Sequence, residues 1–260
     1  MFMDACKENN LSLDSLDKEL CYSFVLQHPE NRIVVPFKTA QLYLISMYKI
    51  DNTDNQNIRV SSVDRSEFLK IISNSTVKFP EMYELSTCSK LIEKYASMNT
   101  SYNILGVVLN NTETGERTKI RNPVYEEVRQ LRGNQPKLQY QYLCLRKEAK
   151  VADFLKYYPE HKKQFTIFRD QLHLFTNTLF ANYVSCYIKK EKPLLEFNGQ
   201  YRTHMFNIHQ TYLHDLKEQK KHVTNTIVIK YVNEIHPSLL MFCLNFQMRK
   251  HNVDCIKSEV

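Results

Sequence analysis

Glycine is scarce in this chain, with four among 260 residues, at 106, 115, 133 and 199. None falls in a Gly-x-x-x-x-Gly-Lys-Ser/Thr arrangement, so a P-loop that cradles phosphates with backbone amides is excluded on pattern. None frames Ser23, Ser46 or Ser185 as Gly-x-Ser-x-Gly, which sets aside a serine hydrolase. Long apolar runs are also missing: no stretch of 18 or more such residues could cross a bilayer as a helix, and the start is not cationic-then-apolar like a signal peptide. The seven cysteines (6, 21, 88, 144, 186, 243 and 255) include no Cys-x-x-Cys pair. An odd number with that spacing fits reduced, mostly buried thiols, and the expectation is a soluble cytoplasmic protein.

What is present is enough to fold: 43% of the residues are hydrophobic, sufficient for the core of one large domain or two ordinary ones. The formal charge of +7 is unevenly placed. Residues 1–100 hold 11 Lys+Arg against 13 Asp+Glu, residues 101–150 hold 9 against 5, and the remainder 15 against 10. A cationic excess from residue 101 onward favours an anionic partner, nucleic acid first, although charge alone fits a solvated basic surface equally well.

Two textures follow one another. Residues 21–27, 32–37 and 41–50 are short and rich in β-branched and aromatic side chains, which predicts three strands with His-Pro-Glu-Asn as a turn between the first two; the third is apolar on both faces and is expected at the centre. Asp64 is placed to cap a helix, with Glu67 answering as in a capping box, and 88–98 reads as another helix. Residues 102–111 and 116–122 flank a loop in which Gly115 can take positive φ, the signature of a β-hairpin. Asn122 as cap, Pro123 at the first helical position and Gly133 at the exit bound a short helix. Beyond Pro136 the periodicity is helical: Phe165, Phe168, Leu172, Phe175, Leu179 and Tyr183 stripe a long helix from about 160 to 190. Tyr201, Met205, Ile208 and Tyr212, then Ile227, Tyr231 and Ile235, repeat that pattern, and a last helix follows Pro237. The fold class is therefore α+β, with a mixed part over 1–150 and an all-helical part over 151–260.

The stretch 117–136, RTKIRNPVYEEVRQLRGNQP, holds four arginines and a lysine around the turn from strand to helix. Strand alternation puts Arg117, Lys119 and Arg121 on one side, and Arg129 and Arg132 share a helix face. Like charges gathered this way call for a compensating anion such as a nucleic-acid backbone, or else protect an edge strand, with Glu126 and Glu127 pairing some of them.

Residues 22–51, YSFVLQHPENRIVVPFKTAQLYLISMYKID, resemble the third conserved motif of the bacteriophage RNA ligase 1 type and the strand after it, with PENRIV the most specific match. NILGVVLNN is similar to that family's fourth motif and RTKIRN to its fifth, Lys-x-Lys, so the resemblance covers roughly residues 20–135. It implies an ATP-grasp-like nucleotidyltransferase sheet followed by a helical C-terminal domain, with ATP and Mg as cofactors and single-stranded or tRNA-like RNA as substrate in RNA repair. Homologues of this kind occur in large DNA viruses, which would place the chain in host cytoplasm or virion. In that chemistry a lysine attacks the α-phosphate of ATP, AMP passes to an RNA 5′-phosphate, and a 3′-hydroxyl displaces it. The resemblance assigns phosphate contact to Lys119, with Arg121 in place of the second lysine and Arg117 beside them. Arg129, Arg132 and Lys137 would contact nucleic acid, and Asn31 and Arg32 would fix the loop between strands.

The chain departs from the family where its chemistry begins. No Lys-x-Asp-Gly is present, and the nearest string is Lys49-Ile50-Asp51-Asn52. The glutamates expected in the third and fourth motifs fall on Ser23 and Leu105, which cannot ligate a metal. Either the chain is one part of a split or truncated ligase completed by a separate N-terminal chain, or it is a noncatalytic RNA-binding or assembly protein derived from that fold. Neither forms a lysine–AMP adduct alone. No metal site is expected, because His204, His209 and His214 step about 140° apart around a helix. Tyr140 and Tyr142, among Lys137, Arg146 and Lys147, either stack unpaired bases or pack in the interior.

Overall fold

The computed structural model describes residues 1–54, 57–84, 87–111 and 113–248; Cys255 lies outside them. The chain is mixed α+β and divides into two compact units, Met1–Gln130 and Leu131–Val260. This division precedes the boundary expected near 150, because the helix over 138–147 sends Tyr142, Leu143 and Leu145 into a helical core rather than toward a sheet.

In the first unit a short helix α1 (Phe2–Glu8) precedes a three-stranded antiparallel sheet, β1 (Leu20–Gln27), β2 (Gln41–Asp54) and β3 (Asn57–Ser62), with β2 in the middle as expected. Tyr22, Phe24 and Leu26 of β1 lie opposite Met47, Leu44 and Leu42, and these pack with Ala5 and Cys6 of α1 into one core. The register skips a residue between Ser46 and Leu44, so Ile45 is an extra residue in β2. That bulge reverses the inward parity, which lets even-numbered Leu42 and Leu44 and odd-numbered Met47 all be buried. The apolar character of both faces of 41–50 is thus the imprint of a bulge as well as of a central strand.

Residues 32–37 form no strand. Gln27 pairs directly with Gln41, so 28–40 is the connection between β1 and β2, and both edges of β2 are already taken. On the side away from β1, Lys78 covers its first half, with Leu44 N donating to Lys78 O (2.8 Å) and Lys78 N donating to Leu42 O (2.9 Å). On the same side β3, which the sequence reading missed, covers its second half. Asn9 is buried and ties α1 to this sheet: its Nδ2 donates to Ala5 O and Ala40 O, and its Oδ1 accepts from Leu42 N.

Two helices follow. α2 (Arg65–Ile71) begins where Asp64 accepts from Ser66 N (2.8 Å); Glu67 pairs forward with Lys70 (2.8 Å) instead of closing a capping box. α3 (Cys88–Tyr95) is capped by Thr87. β4 (Gly106–Asn110) and β5 (Arg117–Arg121) then form the expected hairpin, with Gly115 at φ 73°. Gly106, at φ 133°, admits no side chain, since a Cβ would sit 2.1 Å from Ile120 O. The hairpin leads into α4 (Pro123–Arg132), which ends at Gly133 with φ 57°.

The second unit is helical: α5 (Leu138–Lys147), α6 (Val151–Tyr157), α7 (Lys162–Tyr183), α8 (Gly199–Thr211), α9 (Asn225–Glu234) and α10 (Pro237–Leu244). The expected α7 stripe is buried at Phe165, Leu172, Phe175, Leu179 and Tyr183. Rings stack along it: Phe154 lies 4.7 Å from Tyr158 and 5.1 Å from Phe165 between centroids, and Phe175 lies 5.2 Å from Tyr201. On α9 the buried positions are Val228 and Val232, one residue beyond the Ile227–Tyr231 stripe; this helix is apolar on adjacent faces and packing selects between them. Among the described residues no single helix is long and apolar enough to cross a membrane.

Candidate nucleic-acid interface

A two-stranded hairpin is marginal in water unless something anchors it, and here the anchor is Asn122. This fully buried side chain accepts from Val124 N (3.0 Å), capping α4, while its Nδ2 donates to Ser101 O (2.8 Å) and Ile104 O (2.9 Å). Its own N–H donates to Leu105 O (3.0 Å). One amide thus joins the hairpin's open end, the preceding loop and the helix. Sequence reading identified the cap; the two loop carbonyls are distant choices with no local signal.

Pairing fixes the two faces of the hairpin. Ile120 sits opposite Val107 and Thr118 opposite Leu109; on the other face Arg117, Lys119 and Arg121 sit opposite Asn110, Val108 and Gly106. The three cations are exposed on that face, and Val108 beside Lys119 is 55% exposed. For Arg117 and Lys119 no carboxylate among the described residues lies within ion-pair distance. Arg121 and Arg129 share one: Glu126 Oε1 accepts from Arg121 (2.9 Å) and Oε2 from Arg129 (3.1 Å). The remaining candidates lie in the other unit. Arg132 is half-buried, and Lys137 is the exposed N-cap of α5.

A nucleotidyl-transfer site would need these cations to face the motif-bearing strand across a cleft. Ser23 is exposed on β1, in a sheet that shares no ladder with β4–β5 among the described residues, and Leu105 is 57% exposed at the hairpin's edge. Neither position offers an oxygen ligand suited to a divalent metal beside a nucleotide, and no group of three His, Cys, Asp or Glu among the described residues could hold a metal ion. The described residues at these positions do not fit Mg-ATP.

Arg32 folds back within the β1–β2 connection, where its Nε donates to Val34 O (3.2 Å), and Asn31 N donates to His28 O (3.0 Å) in the same turn. Lys49 and Asp51, two apart on β2, are 3.6 Å apart and line a shallow cavity of 430 Å³ with Lys18, Glu19 and Cys21. Tyr142 is a core residue of the helical unit, with its ring 5.1 Å from that of Phe165, so it is closed to bases. His204 is buried, its Nδ1 2.8 Å from the Tyr231 hydroxyl and its Nε2 3.2 Å from Cys243 Sγ. Burial holds the His204 imidazole below its usual pKa and pushes the Cys243 thiol up to about 11, so this group is a neutral interior network. Compared with protein-family models and with curated protein sequences, the chain matches none.

Proposed function

We propose that the chain binds single-stranded RNA, without joining it, through the cation-bearing face of the β4–β5 hairpin, as a noncatalytic relative of the RNA ligase 1 type. The observation that carries this reading is the row of exposed Arg117 and Lys119 with no carboxylate among the described residues in ion-pair range. Cations held this way on a strand are a standing preference for phosphate, and each phosphate they neutralise releases counterions. Arg121 and Arg129 contribute less, because Glu126 already occupies the space between them. The ligase relationship rests on the order of the three motif-like strings, and the missing glutamates and Lys-x-Asp-Gly argue for binding without chemistry.

Oligoribonucleotide binding measured across a salt series tests the reading. The double substitution Arg117→Ala/Lys119→Ala should weaken binding and reduce the log–log salt slope by roughly 1.4, the share of two single-strand phosphate contacts. Arg121→Ala/Arg129→Ala should reduce it less. Unchanged affinity and slope in the first variant would refute the hairpin as the anion surface.

One observation favours a second reading, in which Lys49 is a displaced nucleophile that takes AMP itself: Lys49 and Asp51 line a shallow cavity. Incubation with α-labelled ATP and magnesium decides between the two. No labelled protein band is expected; a band that Lys49→Ala removes would replace the noncatalytic reading.

A further inference from the structure

The helical unit carries a second cationic feature, built where two helices end together. Phe175 stacks on Tyr201 near the start of α8, and eight residues on, the Tyr183 hydroxyl lies 3.4 Å from His209 Nδ1 near its end, so α7 and α8 run parallel. Each finishes in a π-helical turn, Val184–Ile188 and Tyr212–Leu216. Such turns widen the helix and redirect side chains, and they are frequent at functional sites. Here they gather rings: Tyr187 lies 3.9 Å from His209 between centroids with 13° between planes, and Tyr212 lies 5.8 Å from His209 at 23°. All three side chains are partly exposed. Desolvation lowers the His209 pKa, so near neutral pH its ring is an uncharged aromatic surface.

Lysines follow both turns: Lys189, Lys190 and Lys192 after the first, Lys217, Lys220 and Lys221 after the second, against Glu191, Asp215 and Glu218 in the same segments. Glu191 is engaged with Ser185 Oγ (2.6 Å) and Lys189 (3.5 Å), and Lys192 lies over the Phe197 ring. Lys189 and Lys217 complement the helix C-terminal carbonyls. Lys190 and Lys220 stand at φ 57° and 54°, the left-handed position that glycine usually occupies after a helix, and each carries a cation there instead. Flat rings alone fit any apolar contact, and lysines alone fit any polyanion. Rings flanked by lysines fit a base between phosphates.

We infer that this end of the helical unit stacks an unpaired base of single-stranded RNA on the Tyr187, His209 and Tyr212 rings, with Lys190, Lys220 and Lys221 against the adjoining phosphates. The ligand class rests on the function proposed above; the residues of this surface belong to the second unit and those of the hairpin to the first.

The test compares an adenosine octaribonucleotide with an abasic oligomer of equal phosphate number, each titrated against the intact chain, Arg117→Ala/Lys119→Ala and Tyr187→Leu/Tyr212→Leu. The abasic oligomer should bind roughly 5- to 100-fold more weakly than the adenosine one. That penalty should persist when the hairpin cations are removed and vanish in the tyrosine variant. A penalty that survives in the tyrosine variant, or no penalty in the intact chain, overturns the inference. A lost salt slope in the hairpin variant speaks only to the hairpin. Should circular dichroism show the tyrosine variant unfolded, photocross-linking of a 5-iodouridine oligomer to the intact chain decides: adducts on Tyr187, His209 or Tyr212 support the surface, and adducts confined elsewhere overturn it. Displacement of the adenosine oligomer by polyglutamate as readily as by polyadenylate would also overturn it, by making the surface a general polyanion site.

Discussion

The two units are held together by different means. In the first, buried amides bond main-chain groups: Asn9 joins α1 to β2, and Asn122 joins the hairpin to α4 and to the loop before it. In the second, contacts between rings run the length of α7, from Phe154 and Phe165 to Phe175 and Tyr201. Short strands with long connections leave carbonyls and N–H groups that no ladder satisfies, and a side-chain amide can satisfy several at once. Helices satisfy their own backbone, which frees side chains for packing.

That contrast can be broken one unit at a time. Phe154→Ala should cost about 3–5 kcal/mol, since it empties a fully buried ring site, and hydrogen exchange should quicken in peptides from 131–248. Asn122→Ala should cost about 2–3 kcal/mol, through three lost side-chain hydrogen bonds, one of which is the α4 cap, with faster exchange confined to 1–130. Equal disturbance of both units by either substitution would refute the division of labour. The smallest effect expected is on pH dependence. His204 is, with Gln141 and Thr176, one of the buried polar residues described in the ring-packed unit, and its depressed pKa means that the unfolded chain takes up a proton more readily. Its contribution to stability is therefore complete above the unfolded value near 6.5 and is lost as pH falls through the folded one. Cys243 and Tyr231, both shifted upward, stay neutral in that window. Thermal melts between pH 7 and 5 should show a steeper decline in the intact chain than in His204→Gln.

Sequence reading succeeded where the determinants are local. Asn122, Pro123 and Gly133 bound α4, Gly115 turns the hairpin, and the α7 stripe is buried, because caps, turns and periodicity are written within a few residues. It failed where distant partners decide. Residues 32–37 have strand composition but no vacant edge to join, and β3 forms because β2 extends far enough to receive it. The candidate interface was half legible. Alternation placed Arg117, Lys119 and Arg121 on one face and offered Glu126 as a partner for some of the cations, but which two it takes, and the gathering of rings by two π-helical turns, depend on side-chain reach and helix geometry that spacing does not encode.

β2 illustrates what shared occupancy does to a fold. Four separate segments fasten to it: β1 along one side, Lys78 and β3 in succession along the other, and the Asn9 amide at its start. Sliding β2 by a single position would unseat all four at once and turn Leu42, Leu44 and Met47 outward. The strand therefore acts as a ruler for the unit, with its alignment enforced collectively, and trimming any one of the four neighbours should loosen the sheet locally while leaving its reading frame in place.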